Sequence, residues 1–338
     1  MELQKIETAE VMAMAPRLDE LLNQFIADQD IKSNSADLYR RTLKQYFKWV
    51  ALQGLPMGEI QHLHIIKYKA DLLNDGKSSL TVGGYITSVR RFYEWTEAKK
   101  YYPNIAKGVK TPKRAQQFKK QPLSATESTD LLNQVTNPRD LAIINLCLRT
   151  GLRTIEVVRA NVGDIETKGG QIILNVHGKG RDDKDQFVIL TNKAQAPITA
   201  YLQNRGIVLG KLKPGQSTEP LFISNSNKNK GERLDTRTIR RVAKNNLIAI
   251  GLNSHYYTAH SLRHTTAVSI LRAGGTLENA QGVLRHSNPA TTQIYTATIL
   301  EEQRLKYASE SLIDGQFWGD TTNTNYTTNT NYIQWRIT

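Results

Sequence analysis

The sequence predicts a mainly α-helical protein with a small antiparallel sheet, arranged as two domains joined by a basic linker. Three observations carry this reading. Through the first hundred or so residues, apolar positions recur at helical spacing. Between Lys107 and Lys120 the composition breaks, with six basic residues, no acidic one and Pro112. Beyond the break the period switches to that of strands at 171–176 and 186–190, and helical spacing then resumes. A chain of 338 residues is long enough for two domains, each with its own core.

Residues 17–29 place Leu18, Leu21, Leu22, Phe25 and Ile26 on one face of a first helix. A second helix is expected from an N-cap at Ser35 to Leu52, with Leu38, Leu43, Phe47 and Val50 facing inward and Gly54-Leu55-Pro56 ending it. The third spans about Ile60 to Asn74 and stops before Asp75-Gly76. The fourth opens near Ser79 and carries Tyr85, Ile86, Val89, Phe92 and Trp95. Together they make a small helical domain over 17–102, with many Lys, Arg, Ser and Thr side chains outward. Residues 1–16 are read as a short N-terminal extension, too short for a further domain.

Residues 103–122 are expected to be the linker, either plainly solvated or, as its sign and length favour, a clamp around duplex DNA. The second domain is placed at 123–315. It starts with a capping box, Ser124 as N-cap and Glu127 as its reciprocal partner, on a helix to about Thr136. Asn137-Pro138 introduces a helix from Arg139 to Arg149 that Gly151 terminates, and Thr154 is expected to cap the next one. Two antiparallel strands, joined by a glycine turn over 177–185, complete the sheet. A helix over Ala194 to Asn204 and a loop-rich stretch at 206–234 follow. Helices then run over Thr236–Ile250, Ser261–Arg272, Leu277–Arg285, Pro289 to about Thr296, and Leu300–Leu312. Residues 316–338 repeat Thr, Asn and Tyr, hold too little apolar surface for a core, and are expected to be disordered.

Composition narrows the function classes. A net charge of +14 and a pI near 9.7 point to a polyanionic partner, of which nucleic acid is the commonest. An aromatic content of 7% weighs against single-strand stacking platforms. No apolar run approaches the ~20 residues needed to cross a bilayer, and the N-terminus lacks a signal-peptide core. The single cysteine, Cys147, sits in an apolar run and reads as a buried small hydrophobe, which fits a reducing cytoplasm.

Four clusters in the second domain carry chemistry: Thr150-Gly151-Leu152-Arg153 with Glu156, Gly178-Lys179-Gly180, His260-Ser261-Leu262-Arg263-His264, and Leu284-Arg285-His286 with Tyr295 nine residues on. Arginines beside tight turns suit bidentate contact with phosphate oxygens. A lysine on a glycine turn can deliver a proton to a departing oxygen. Histidines exchange protons near neutral pH, and a phenol can act as a covalent nucleophile. Each motif alone is commonplace: Arg153 or Arg263 would more often be a salt-bridged surface residue, and Tyr295 is one of 14 tyrosines. The ordered set is what has specificity.

That set resembles the tyrosine recombinase (phage integrase) family, whose order is Arg, Lys on a hairpin turn, His-x-x-Arg, His or Trp, then Tyr. The matching positions are Arg153, Lys179, His260, Arg263, His286 and Tyr295. Thr-Gly-Leu-Arg with Glu156, and the Thr291-Thr292 pair before the tyrosine, fit as well. The resemblance implies a helical core-binding domain followed by a mixed α/β catalytic domain. It further implies cleavage of duplex DNA by Tyr295 through a 3′-phosphotyrosyl intermediate, with no cofactor, metal or ATP. Arg153 and Arg263 would stabilise the pentacoordinate phosphate, His260 would act as general base or acid, Lys179 would protonate the leaving 5′-oxygen, and His286 would hydrogen-bond the phosphate. The implied partners are recombination sites in duplex DNA and further copies of the chain: a homotetramer in the synapse, two protomers per site, and a monomer off DNA.

Two departures stand out. The family usually has Leu-Gly-His where this chain has Leu284-Arg285-His286, and often a histidine where it has Ala297. Arg285 either adds positive charge beside the phosphate or points to solvent. Lys184 shares the turn with Lys179, and Glu156 either orients a catalytic group or forms a plain helix-start ion pair. The helix from Leu300 to Leu312 either docks on a neighbouring protomer or packs back on its own domain. The expected role is integrase of a mobile element or virus, with chromosome-dimer or cassette recombination as the alternative. A non-catalytic DNA-binding regulator is the rival from another class.

Overall fold

The structure is a computed structural model, and it describes residues 18–113, 120–177, 183–209, 215, 217–286, 288 and 290–307. These fall into two compact units, one within residues 1–117 and one within 118–338. The expected extension at 1–16 and tail at 316–338 lie outside the described residues.

The first unit is helical. Its elements are α1 (18–27), α2 (Ser33–Leu52), α3 (His62–Asn74) and α4 (Ser79–Ala98). Helix α2 begins ahead of the expected cap at Ser35: Lys32 holds the cap position in extended conformation with no side-chain cap bond. Ser78 does cap α4, accepting from the amide of Thr81. The core is aromatic. Phe25 meets Phe92 and Trp95 edge-on at 5.6 Å, and Tyr46, expected on no inward face, is fully buried against Tyr68. The Tyr46 and Tyr93 hydroxyls satisfy each other at 3.0 Å, while the indole N–H groups of Trp49 and Trp95 donate to Asp71 and Asp28. Leu38, by contrast, is exposed. The start of the expected linker belongs to this unit, since Ala106 and Val109 are buried in its core.

The second unit wraps helices around a three-stranded sheet. Helix α5 (Ala125–Gln134) carries the expected capping box: the Glu127 carboxylate accepts from the Ser124 amide at 2.7 Å, and the Ser124 hydroxyl accepts from the Glu127 amide at 3.1 Å. Helix α6 (Pro138–Thr150) is capped by Asn137 and closed by Gly151 at φ 60°. Helix α7 (Thr154–Arg159) opens with Arg153, not Thr154, at its cap position. The sheet has one strand more than expected. β1 (Ile165–Lys168), β2 (Gln171–Val176) and β3 (Gln186–Ile189) pair antiparallel in the order β1-β2-β3. Ile-Glu-Thr-Lys is too short and too polar to announce β1, which is stabilised by pairing across the tight Gly169-Gly170 turn.

After α8 (Asn192–Gln203) come α9 (Thr236–Ala249), α10 (Ala259–Arg272), α11 (Leu277–Leu284) and α12 (Ala290–Tyr307). The last corrects the sequence reading: one continuous helix replaces the two expected at Pro289–Thr296 and Leu300–Leu312. Ala297-Thr298-Ile299 contains no glycine or proline to interrupt it. A large core binds α5, α6, α8, α9 and the sheet, and Cys147 is buried in it with its thiol pushed up to about 12 by burial. A satellite cluster of Ala267, Val268, Ala280, Leu284 and Tyr295 joins α10, α11 and α12.

Candidate active site

Arg263 is the hub. It rises from the first turns of α10, 2% exposed, and its guanidinium donates through Nη1 to the Gly151 carbonyl and through Nη2 to the Leu284 carbonyl at 2.6 Å. Those two oxygens end α6 and α11, where helices leave carbonyls without intrahelical donors and where the macrodipole favours a cation. One side chain therefore closes two helices, and the segments so joined are those carrying Arg153 and His286. Burial and the nearby charge of Arg153 lower the Arg263 guanidinium to about 10, which leaves it charged at neutral pH.

Gly151 makes this convergence possible. Its φ of 60° suits glycine, and a Cβ there would stand 2.5 Å from the Leu284 Cδ2 atom. Thr266 on α10 donates to the Leu148 carbonyl at 2.8 Å, holding the same helix end.

Arg153, at the start of α7, donates through Nη1 to Glu156 Oε1 at 2.7 Å, and its amide donates to Oε2 at 2.7 Å. Glu156 is 3% exposed and receives a third donor, Arg285 Nη2, at 2.8 Å on Oε2. Burial alone would raise the Glu156 carboxyl, but the Arg285 charge and the bonds from Arg153 outweigh it and hold it below the usual range. Arg285 therefore does not point to solvent. Its backbone lies at φ 55°, the left-handed conformation that closes α11, at a strain cost of about 1 kcal/mol that glycine would not carry.

His286 follows directly. Its Nδ1 lies 2.9 Å from the hydroxyl of Thr292, which is fully buried, so α12 sets the ring's orientation. Desolvation, then the charges of Arg263, Arg153 and Arg285, lower its imidazole to about 4. His260, on the exposed side of α10, is also lowered, by desolvation and then by Arg263, Lys120 and Arg153. Both imidazoles are neutral near pH 7. Tyr295 is 1% exposed, its ring 4.7 Å from that of His264 and 6.3 Å from that of His286. Burial raises its phenol, only partly offset by Arg263 and Arg153.

Five of the six expected site residues thus share one neighbourhood: Arg153, His260, Arg263, His286 and Tyr295. The sixth, Lys179, lies outside the described residues. Lys184 from the same turn forms an ion pair with Asp164, at the base of the sheet. Sequence reasoning named Lys120 in the basic run, His264 in the His260–His264 cluster and Thr292 beside the tyrosine but gave none of them a role, and each acts on a member of the set. An open cleft of about 930 Å³, lined by Arg149, Phe187, Gln281, Arg285 and His286 among others, adjoins the site. Among the described residues no group of three or more His, Cys, Asp or Glu side chains could hold a metal ion, and no helix is long and apolar enough to cross a membrane.

Comparison with known proteins gives the same outline. Residues 121–301 match the model of the phage integrase family, and residues 18–100 match the phage integrase N-terminal SAM-like domain. Tyrosine recombinase XerC of Pelobacter propionicus is 29% identical over 283 residues, 81% of this chain and 88% of the relative. Tyrosine recombinase XerD of Proteus mirabilis is 27% identical over 294 residues, 86% of this chain and 90% of the relative. Among solved structures, XerH site-specific recombinase bound to its palindromic difH substrate shares the fold with a TM-score of 0.64 at 19% identity, covering 81% of this chain and 79% of that one. The Tn1549 transposon integrase in complex with transposon right-end DNA shares it with a TM-score of 0.62 at 15% identity, covering 86% and 98%.

Proposed function

This chain belongs to the phage integrase family of tyrosine recombinases, enzymes that break and rejoin DNA, and from that premise we propose that it is a site-specific recombinase of the Xer type. XerC and XerD proteins match it over four-fifths or more of its length, which favours chromosome-dimer or cassette recombination over the mobile-element role expected at first. It would act on duplex recombination sites as a homotetramer, two protomers per site, and in the cytoplasm.

The observation that carries the reading is the pair of hydrogen bonds that Arg263 donates to the Gly151 and Leu284 carbonyls, which draws Arg153 and His286 to the same place. In the proposed reaction the Tyr295 oxygen attacks phosphorus, forming the phosphotyrosyl bond as the bond to the 5′-oxygen breaks. A phenol is protonated at neutral pH, and burial raises this one further, so a base must take its proton. Neutral His260, its pKa lowered, is suited to accept it. Arg153 and Arg263 carry the charge that meets the pentacoordinate phosphate. His286, oriented by Thr292, hydrogen-bonds a phosphate oxygen, and Lys179 protonates the leaving oxygen. Attack by a partner duplex's 5′-hydroxyl reverses these steps and exchanges strands. Since the Tyr295 side chain is 1% exposed, reaching a phosphodiester requires α12 to turn or withdraw.

The test is metal-free incubation with nicked suicide duplexes. A denaturant-stable DNA adduct is expected from the wild type, none from Tyr295→Phe, and DNA binding is expected from both. Adduct formation by Tyr295→Phe would overturn the assignment of the nucleophile.

A further inference from the structure

We propose that Arg285 is a positioning residue for the phosphate site: by sharing Glu156 it leaves the charge of Arg153 available to the scissile phosphate. The proposal rests on the recombinase reading above.

Four features support it. Arg285 occupies the left-handed position that closes α11, where glycine is unstrained, so the φ angle favours no arginine there, although its Nη1 also donates to the Val283 carbonyl at 2.8 Å. Its side chain is 5% exposed, deeper than a solvated surface arginine, and Nη2 lies 2.8 Å from Glu156 Oε2. Its Nε–H is also buried, with no hydrogen-bond partner among the described residues. Finally, Glu156 is itself 3% exposed and already accepts from the Arg153 amide and guanidinium.

Charge counting gives the consequence. Arg153, Arg263 and Arg285 with Glu156 sum to +2, three cations and one anion, and without Arg285 the sum falls to +1. Arg153 would then be the sole cation hydrogen-bonded to a buried carboxylate, its field at the phosphate largely cancelled. Phosphoryl transfer takes the phosphodiester from one negative charge towards two in the pentacoordinate state, so the lost charge acts more on the transition state than on bound DNA. DNA affinity, by contrast, is spread over many phosphate contacts. Arg285 therefore governs the rate of cleavage and hardly the binding.

The experiment uses the full chain and a nicked suicide duplex that the wild type enriches from a randomised library. Adduct formation is followed at saturating protein, DNA affinity is measured in the Tyr295→Phe background, and thermal midpoints are recorded. Arg285→Gly keeps a backbone-compatible residue and removes the guanidinium. Its maximal rate is expected to fall about ten- to hundredfold while Kd moves less than about threefold. Arg285→Lys, which keeps the charge, recovers most of the rate. Arg285→Gln, which keeps a hydrogen-bond donor without charge, stays as slow as Arg285→Gly. The proposal is overturned if Arg285→Gly cleaves within about threefold of wild type, if the loss appears in Kd rather than rate, or if Arg285→Gln outpaces Arg285→Lys. A merely structural tie between α7 and α11 would lower the midpoint of Arg285→Gly without this ordering of rates. A wild type that forms no adduct on the enriched duplexes sinks the recombinase reading and this inference together, whereas the variant outcomes sink this inference alone.

Discussion

Replacing Arg263 with alanine tests whether the hub is a structural brace as well as a phosphate ligand. The substitution leaves the Gly151 and Leu284 carbonyls, both inside the second unit, without their donor. An orphaned buried carbonyl costs about 1–3 kcal/mol, and water entering the space left by the guanidinium recovers part of it. The two together give a loss of about 2–5 kcal/mol, against a total of about 5–15 kcal/mol for an ordinary domain. For a unit of this size that lowers the thermal midpoint by about 5–15 °C. Arg263→Lys retains one cationic donor in place of the fork, and about half the loss is expected. Urea unfolding is the assay, with an unchanged slope showing that stability and not the unfolded state has altered. If Arg263→Ala unfolds within about 0.5 kcal/mol of wild type, the carbonyl contacts do not brace the fold and the argument from this hub fails.

Two further outcomes follow from the same region. Gly151→Ala combines left-handed strain with the clash at Leu284, and is expected to cost about 2–4 kcal/mol by urea unfolding, with a matching loss of active enzyme. His286 has a folded pKa of about 4 against an ordinary 6.5, so the unfolded chain takes up its proton first. Its contribution to stability is present above pH 6.5 and is lost as the pH falls towards 4. His264, lowered to about 3 by burial first, adds in the same direction. A pH series of thermal midpoints should therefore fall through this window, and His286→Asn should shallow the slope. An unchanged slope would mean that His286 does not titrate as argued.

Much of the architecture was legible because it is local. The four N-terminal helices, the Ser124 and Glu127 capping box and the Asn137 and Gly151 boundaries of α6 follow from short-range periodicity and capping chemistry. Errors arose where local signals were weak or overruled. β1 was missed because pairing, not composition, makes it a strand. α2 starts before Ser35 without a side-chain cap. A break within α12 was expected where no residue enforces one. Leu38 and Tyr46 changed places because helical spacing locates an apolar stripe but not its edge.

The candidate site divides the same way. The order and spacing of arginine, histidine and tyrosine motifs were enough to carry the resemblance to the tyrosine recombinases, since that resemblance depends only on which residues stand in which order. How those groups hold one another was decided only in three dimensions. Residues more than a hundred positions apart, Arg263 with Gly151 and Arg285 with Glu156, meet because helix ends converge there. Hydrogen bonds and buried charges act over a few ångströms, so sequence determined the inventory of this site while the packing of α6, α7, α10, α11 and α12 determined its electrostatics.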